Sequence, residues 1–342
     1  MRVLLGMSGG LDSTWAAVLL KKAGHEVVGC ALRMHAHTPM DRARLAAEQA
    51  GVALVELDAA EAFEEQVVCP FAREYARGRT PNPCVRCNRL VKLKTLCDYA
   101  ERQGFDAVAT GHYAHVERDG ESGRYYIRPG RDEKKDQSYA LYSLTQQQLA
   151  MLILPLAGMD KASVRRAAAA AGLQAASSPE SMENCFIPDG HYSDFLSERG
   201  VCPREGDFID PEGRVLGRHR GITHYTVGQR KGLGISLGRV AFVTAIDPEK
   251  NTVTLGDESE LMKDHAEIGE LSLQLLSPAP ATFRAEVKIR YGAPPVPATV
   301  TVFPDADRAE IRFDRPVRAL TPGQSAVCYD ERGAILLGGV IR

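Results

Sequence analysis

The amino-acid sequence predicts an α/β N-terminal domain built on a parallel sheet, followed by two small, mainly β domains. Two patterns carry that expectation. Over roughly the first 110 residues, short apolar runs alternate with longer amphipathic stretches that stop at glycines, the mark of βαβ units. From about residue 200 the chain turns to short alternating strands broken by Asp-Pro, Asn, Gly and Pro turns, as in small barrels and sandwiches. A length of 342 residues supports the division, because a single core stops growing near ~250–300 residues.

Taken in order, RVLLGM (2–7) reads as a buried strand and DSTWAAVLLKKAG (12–24) as a helix closed by Gly24. EVVGCALRM (26–34) and VALVELD (52–58) are strands, with the helix MDRARLAAEQAG (40–51) between them. LVKLKTLCDYAERQG (90–104) is a further helix and DAVATGH (106–112) a further strand. Each helix ends at a glycine, which takes the left-handed C-terminal conformation without a Cβ penalty. ERDGESGRYYIRPG (117–130) is expected as a hairpin, and TQQQLAMLILPL (145–156) and KASVRRAAAAAG (161–172) as helices. Strand pairs follow in 206–219, 240–256 and 281–342. The predicted domains are 1–192, 193–265 and 266–342.

No apolar run approaches the ~20 residues that cross a bilayer. MRVLLGMSGG is too short in its apolar part for a signal peptide and runs into a glycine loop. Eight scattered cysteines do not make a disulfide scaffold, so a cytoplasmic chain with reduced thiols is expected, and any special cysteine is catalytic or metal-bound. The net charge of −2 conceals a local excess: between Arg73 and Lys94 stand seven Lys or Arg against one acid, Glu74. That density suits phosphate contact, although a solvated face is the plainer alternative.

GMSGGLDST (6–14) lies between the first strand and the first helix. Its glycines allow a tight turn in which backbone N–H groups and the helix N-terminus face an anion, and Ser8 and Ser13 add hydroxyls. Asp12 suits such a site if it holds Mg²⁺, or it simply favours the helix dipole. The string SGGLDS resembles the PP-loop of the N-type ATP pyrophosphatases, with no Gly-Lys-Ser/Thr of the Walker type. That resemblance implies an adenine-nucleotide α-hydrolase-like sheet, ATP with Mg²⁺, and adenylation with release of pyrophosphate.

GRTPNPCVRCNRLVKLK (78–94), ATGHYA (109–114), KKDQSYALYSL (134–144) and SMENCFIPDGHYSDFL (181–196) then resemble, in order and spacing, the tRNA-specific 2-thiouridylases. TVGQRKGLGIS (226–236), IRYGAPPVP (289–297) and TPGQSAVCYD (321–330) extend the likeness over both β domains. It implies thiolation at C2 of the wobble uridine of tRNAs for Lys, Glu and Gln: ATP adenylates O2, and a sulfur nucleophile displaces AMP. By the same resemblance Gly6, Met7, Ser8, Gly9, Gly10, Leu11, Asp12 and Ser13 bind ATP, with Leu32 and Gly111 flanking the nucleoside. Asn82, Pro83 and Cys84 lie against the target base, and His112, Lys135, Asp136, Gln137, Arg290, Tyr291 and Gln324 contact tRNA. Cys87 matches the nucleophile and Cys185 the position that carries the persulfide, and the sulfur donor to the enzyme is sulfide or a persulfide carrier protein. His112 alone reads as a structural histidine, Arg290-Tyr291 as a strand pair, and KKDQ as a solvated turn.

The sequence departs from the family in the segment Arg33 to Asp41, shorter than in many relatives, and in the string Asn-Pro-Asp-x-x-Cys, where the aspartate is Cys84. Cys84, Cys87 and the distant Cys185 then resemble the ligand set of PP-loop tRNA thiolases that hold a [4Fe–4S] cluster by three cysteines. The cluster is preferred, ahead of metal-free three-thiol persulfide chemistry and then zinc, which usually takes four protein ligands in a structural site. A Cys84–Cys87 redox disulfide is a further reading. Outside this class, a small-molecule PP-loop synthetase and a non-catalytic RNA-binding protein are the alternatives. The two β domains and the lack of a glutaminase segment count against the first, and the intact SGGLDS string against the second.

Overall fold

The computed structural model describes residues 1–177, 184–187, 192–277 and 280–342. The first domain contains strands β1 (Arg2–Gly6), β2 (Glu26–Arg33), β3 (Ala53–Asp58) and β4 (Ala107–Ala109), a hairpin of β5 (Ala114–Arg118) and β6 (Tyr125–Pro129), and β7 (Leu152–Ile153). Five of these form a sheet in the order β3-β2-β1-β4-β7, with every pairing parallel.

Side chains of a strand alternate between faces, and β1 shows why its run is apolar throughout. Val3 and Leu5 pack with Ala16, Ala17 and Leu20 of the helix Leu11–Lys22 and with Ala46, Ala47 and Ala50 of the helix Met40–Ala50. Leu4 points to the other face, into Leu93, Leu96 and Ala100 of the helix Leu93–Gln103. The sheet is therefore covered on both sides. The strand order reverses at β1, which has β2 on one side and β4 on the other. The crevice at the C-terminal ends of β1 and β4 is where such a sheet receives a ligand.

The first domain differs from the expected elements in two places and adds helices in a third. The segment 145–156 is not one helix. A capping box on Thr145 and Gln148 starts the helix Gln146–Met151, and Leu152 then leaves it to pair with Val108 as the sheet edge. Residues 60–76 are helical: Ala60–Phe63, a π turn at Glu64–Val68, and Cys69–Ala76, which bury Phe63, Val67, Val68, Phe71 and Ala72. The helix expected from residue 90 is preceded by the short helix Pro83–Cys87 and a π turn, Asn88–Lys92.

The middle of the chain forms β8 (Gly206–Ile209), β9 (Val215–His219), β10 (Phe242–Asp247) and β11 (Thr252–Gly256), ordered β10-β11-β8-β9 around Phe208, Val243, Val253 and Leu255. The last part is a closed barrel of β12 (Met262–Leu273), β13 (Ala281–Lys288), β14 (Val296–Phe303), β15 (Arg308–Arg318), β16 (Ser325–Tyr329) and β17 (Ile335–Ile341). Because β12 begins at Met262, the barrel starts ahead of the expected boundary at 266.

The barrel is built onto the first domain. Val327, Tyr329 and Ile335 share its core, and the fully buried Gln274 accepts from the Ile127 N–H at 2.8 Å. The same amide donates to the carbonyls of Leu141 and Tyr142, both at 2.9 Å. No helix among the described residues is long and apolar enough to cross a membrane.

Candidate active site

The phosphate loop follows β1 at the expected crevice. Gly9 adopts φ +77°, where a side chain would also strike the backbone of Arg42. The Ser13 hydroxyl donates to the Gly10 carbonyl at 3.1 Å and accepts from the Ser8 N–H at 3.3 Å, so the loop is held from within. Gly10, the residue before the helix Leu11–Lys22, makes no side-chain cap. The first-turn N–H groups are thus left for an anion. Gly111, just beyond β4, packs so closely that a Cβ would lie 2.8 Å from the Asp12 backbone. Asp12 is tied from outside the loop: Lys161 reaches both carboxylate oxygens at 2.6 Å and the Tyr113 hydroxyl donates to Oδ1 at 2.7 Å. Leu32, half-buried near the end of β2, packs against the main core.

The thiol site is set by local sequence. Asn82, extended, caps the helix Pro83–Cys87 by accepting from the Cys84 N–H at 3.2 Å, and Pro83 sits at the first turn, where its missing N–H is not needed. Cys84 and Cys87, three apart on that helix, share a face, with Cys84 exposed and Cys87 buried. Cys87 lies among Phe63, Phe71 and Val91, with its sulfur 3.9 Å from that of Met34. Cys185 is brought in by its neighbour. Phe186 is buried and packs edge-on against Phe63 and Phe71, at 5.5 and 5.3 Å between ring centres. All eight cysteines are free thiols.

Burial pushes the Cys87 thiol up to about 11, and the other two thiols add to the rise, while Lys92 opposes it through both its ammonium and its backbone N–H. Burial likewise raises Cys185, again against Lys92. Desolvation alone would depress Lys92, yet it is raised, because it faces Cys87, Cys84 and Cys185 together. His112 is held neutral: burial first and Lys92 second push it down to about 3, and Thr110 Oγ1 lies 2.8 Å from its Nδ1. Lys92 therefore joins the three thiols to the histidine that follows Gly111. Sequence reasoning counted Lys92 only as one charge of a basic surface. The rest of that patch is partly spent internally: Arg79 on Glu74 and on the Ile341 carbonyl, Lys94 on Asp98, and Arg86 on the Gln66 carbonyl.

Three family models match the chain: a tRNA methyl transferase HUP domain over residues 1–189, a tRNA methyl transferase PRC-barrel domain over 193–257, and an aminomethyltransferase beta-barrel domain over 268–341. The tRNA-specific 2-thiouridylase MnmA of Carboxydothermus hydrogenoformans is 42% identical, covering 99% of this chain and 96% of its own length. Those of Acetivibrio thermocellus and Clostridioides difficile are 40% and 39% identical, each covering 99% of this chain and 98% and 97% of their own. The chain belongs to the tRNA-specific 2-thiouridylase family.

The other expected residues lie on the segment 135–137 and on the barrel. Tyr291, half-exposed between β13 and β14, has its hydroxyl raised by partial desolvation and then by the charge of Asp136, with Lys135 opposing and Cys84 adding a little. Its ring lies 6.1 Å from that of Tyr139, whose hydroxyl donates to the Ser325 carbonyl at 2.8 Å. Asp136 is itself buried: it accepts from the Ser138 N–H at 2.9 Å and hydroxyl at 2.8 Å, and lies 3.4 Å from Lys288. Any effect of Asp136 on a partner would pass through that turn. Gln137 pairs with the Tyr113 backbone. Gln324 donates to the Thr80 carbonyl at 2.7 Å, so the barrel steadies the approach to Asn82 and Pro83. Among the described residues no group of three or more His, Cys, Asp or Glu side chains is disposed to hold a metal ion.

Proposed function

We propose that this chain catalyses ATP-dependent 2-thiolation of the wobble uridine, position 34, of tRNAs of the Lys, Glu and Gln type. Full-length similarity to the 2-thiouridylases supports the reading. The observation that carries it is that Gly111 packs against the phosphate loop at the sheet's switch point while His112, next to it, lies within reach of Lys92, whose charge acts on all three thiols. ATP held at residues 6–13 is attacked by O2 of the uridine, forming a C2–O–AMP bond and releasing pyrophosphate. A sulfur nucleophile then adds at C2, and the C2–O bond breaks with the oxygen leaving on AMP. With a persulfide on Cys185, the terminal sulfur attacks C2, and the Cys87 thiolate takes the remaining sulfur of Cys185 into a disulfide that a thiol reductant reopens. Lys92 stabilises whichever thiolate forms, and neutral His112 can hydrogen-bond the base without adding charge. Mg²⁺ accompanies the triphosphate in this proposal, and at Asp12 it would have to share or replace the Lys161 contact.

The sulfur route is a finer proposal. Three thiols are the donor set that leaves one iron of a [4Fe–4S] cluster open, so Cys84, Cys87 and Cys185 would hold it, and the cluster would supply inorganic sulfur to the activated base. The thiols as described are not gathered into a metal-holding group, so no step above runs through a cluster. Anaerobically prepared protein with ATP, a sulfur source and wobble-uridine tRNA is expected to form 2-thiouridine and one pyrophosphate per turnover. Absence of both would defeat the proposal. Iron and acid-labile sulfide measured in the parent and in Cys84→Ala, Cys87→Ala and Cys185→Ala decide the route. Iron present in the parent and lost in each variant supports the three-cysteine cluster, whereas iron surviving all three refutes it.

A further inference from the structure

The Asp12 carboxylate sits in a loop shaped to receive a triphosphate, where an uncompensated negative charge would repel the ligand. Its countercharge comes from 149 residues away in sequence: Lys161 Nζ contacts both oxygens at 2.6 Å, opening the helix Lys161–Ala170. The Lys161 side chain is 14% exposed and that of Asp12 32%, so this two-point contact is drawn partly out of water, where it counts for more than a surface pair. The same anchors reach the segment 131–137. The Lys161 N–H donates to Asp132 Oδ2 at 3.0 Å. Tyr113, whose hydroxyl holds Asp12, exchanges two 3.0 Å bonds with Gln137, one to the side chain and one between backbones. Next to Gln137 is Asp136, whose carboxylate lies 3.4 Å from Lys288 of the barrel strand β13 and whose charge acts on Tyr291. Hydrogen bonds thus run from the phosphate loop to both ends of the segment 132–137, at Asp132 and at Gln137.

We propose that Lys161 is a positioning residue that sets the phosphate loop for ATP through Asp12 and, through Asp132, couples ATP binding to tRNA docking along residues 131–137. This rests on the reading above that ATP binds at residues 6–13 and that tRNA docks beside Lys135 and Gln137. Such coupling is reciprocal: tRNA tightens ATP binding by the same factor as ATP tightens tRNA binding.

The test is calorimetric affinity of the full chain for a non-hydrolysable ATP analogue with Mg²⁺, with and without a tRNA transcript carrying the target uridine. Parent, Lys161→Met, Lys161→Arg and Asp132→Ala are compared, with melting temperatures as a check of folding. The parent is expected to bind the analogue about fivefold or more tightly with tRNA present. Lys161→Met weakens the analogue about tenfold or more and loses the tRNA effect, and Lys161→Arg keeps part of both. Asp132→Ala retains the affinity measured without tRNA and loses the enhancement, so the test stands even if Lys161→Met does not fold. Lys161→Met binding as tightly as the parent, or more tightly, overturns the proposal, because Lys161 would then only compete with Mg²⁺ at Asp12. An enhancement unchanged in Asp132→Ala and Lys161→Arg, or absent in the parent, overturns it too while leaving the ATP site in place. A parent that binds no analogue removes the ATP site itself.

Discussion

Lys92→Met removes the positive charge that the three thiols share, and the readout is the reactivity of Cys87. With its thiol at about 11, Cys87 is thiolate to about one part in a thousand at pH 8. Lys92 acts to lower that value, so its loss raises it further. An opposite charge at close range shifts a group by about one unit or more, so the thiolate fraction should fall about tenfold or more. Alkylation follows the thiolate. Rates at pH 8, resolved by mass mapping to the peptide bearing Cys87 in a Cys84→Ser background, should drop about tenfold in Lys92→Met, and less in Lys92→Arg. The rate in the Cys84→Ser background alone should climb with pH without a plateau below about pH 10. An unchanged rate in a folded Lys92→Met protein would refute the reasoning, as would a plateau near pH 8.

Further outcomes follow from the same contacts. His112 is held neutral down to about pH 3, so between about pH 6.5 and 3 the unfolded chain binds a proton that the folded chain does not, and stability falls on acidification. His112→Gln should remove up to about 2 kcal/mol of that loss between pH 7 and 5 in chemical-denaturation curves. Gly111→Ala drives a Cβ into the Asp12 and Ser13 backbone and should raise the KM for ATP while costing about 1–3 kcal/mol of stability, read by steady-state kinetics and thermal melts. Gln274→Ala strands the Ile127 N–H and takes a donor from the carbonyls of Tyr142 and Leu141, the latter keeping the Leu144 N–H, and should cost about 2–4 kcal/mol by denaturant titration.

The sheet was legible because β1 and β2 are largely buried apolar runs, with the half-exposed apolar run of β3 at the sheet edge and helices of ordinary length between, and the phosphate loop because its glycines meet a backbone need. Lys92 was not, for a local reason. The π turn at Asn88–Lys92 inserts a residue relative to α-helical spacing, and its N–H pairs five residues back, so periodicity counted from Cys87 misplaces everything after it. Asp136 sits in a string, EKKDQS, that reads as a solvated turn, and its burial depends on Lys288, which is 152 residues away. Cys185 reaches Cys87 because Phe186 inserts among Phe63 and Phe71, a contact that no spacing rule exposes. The helical stretch 60–76 carries acids and apolar residues without a clean period, since a π turn interrupts it too.

The central claim is that the uridine's own O2 is activated by ATP and leaves as part of AMP. A tRNA carrying ¹⁸O at C2 of the wobble uridine tests it directly. The account predicts that thiolation by this protein transfers the label to AMP, with none in pyrophosphate. Label recovered in water or in pyrophosphate, with unlabelled AMP, would contradict it.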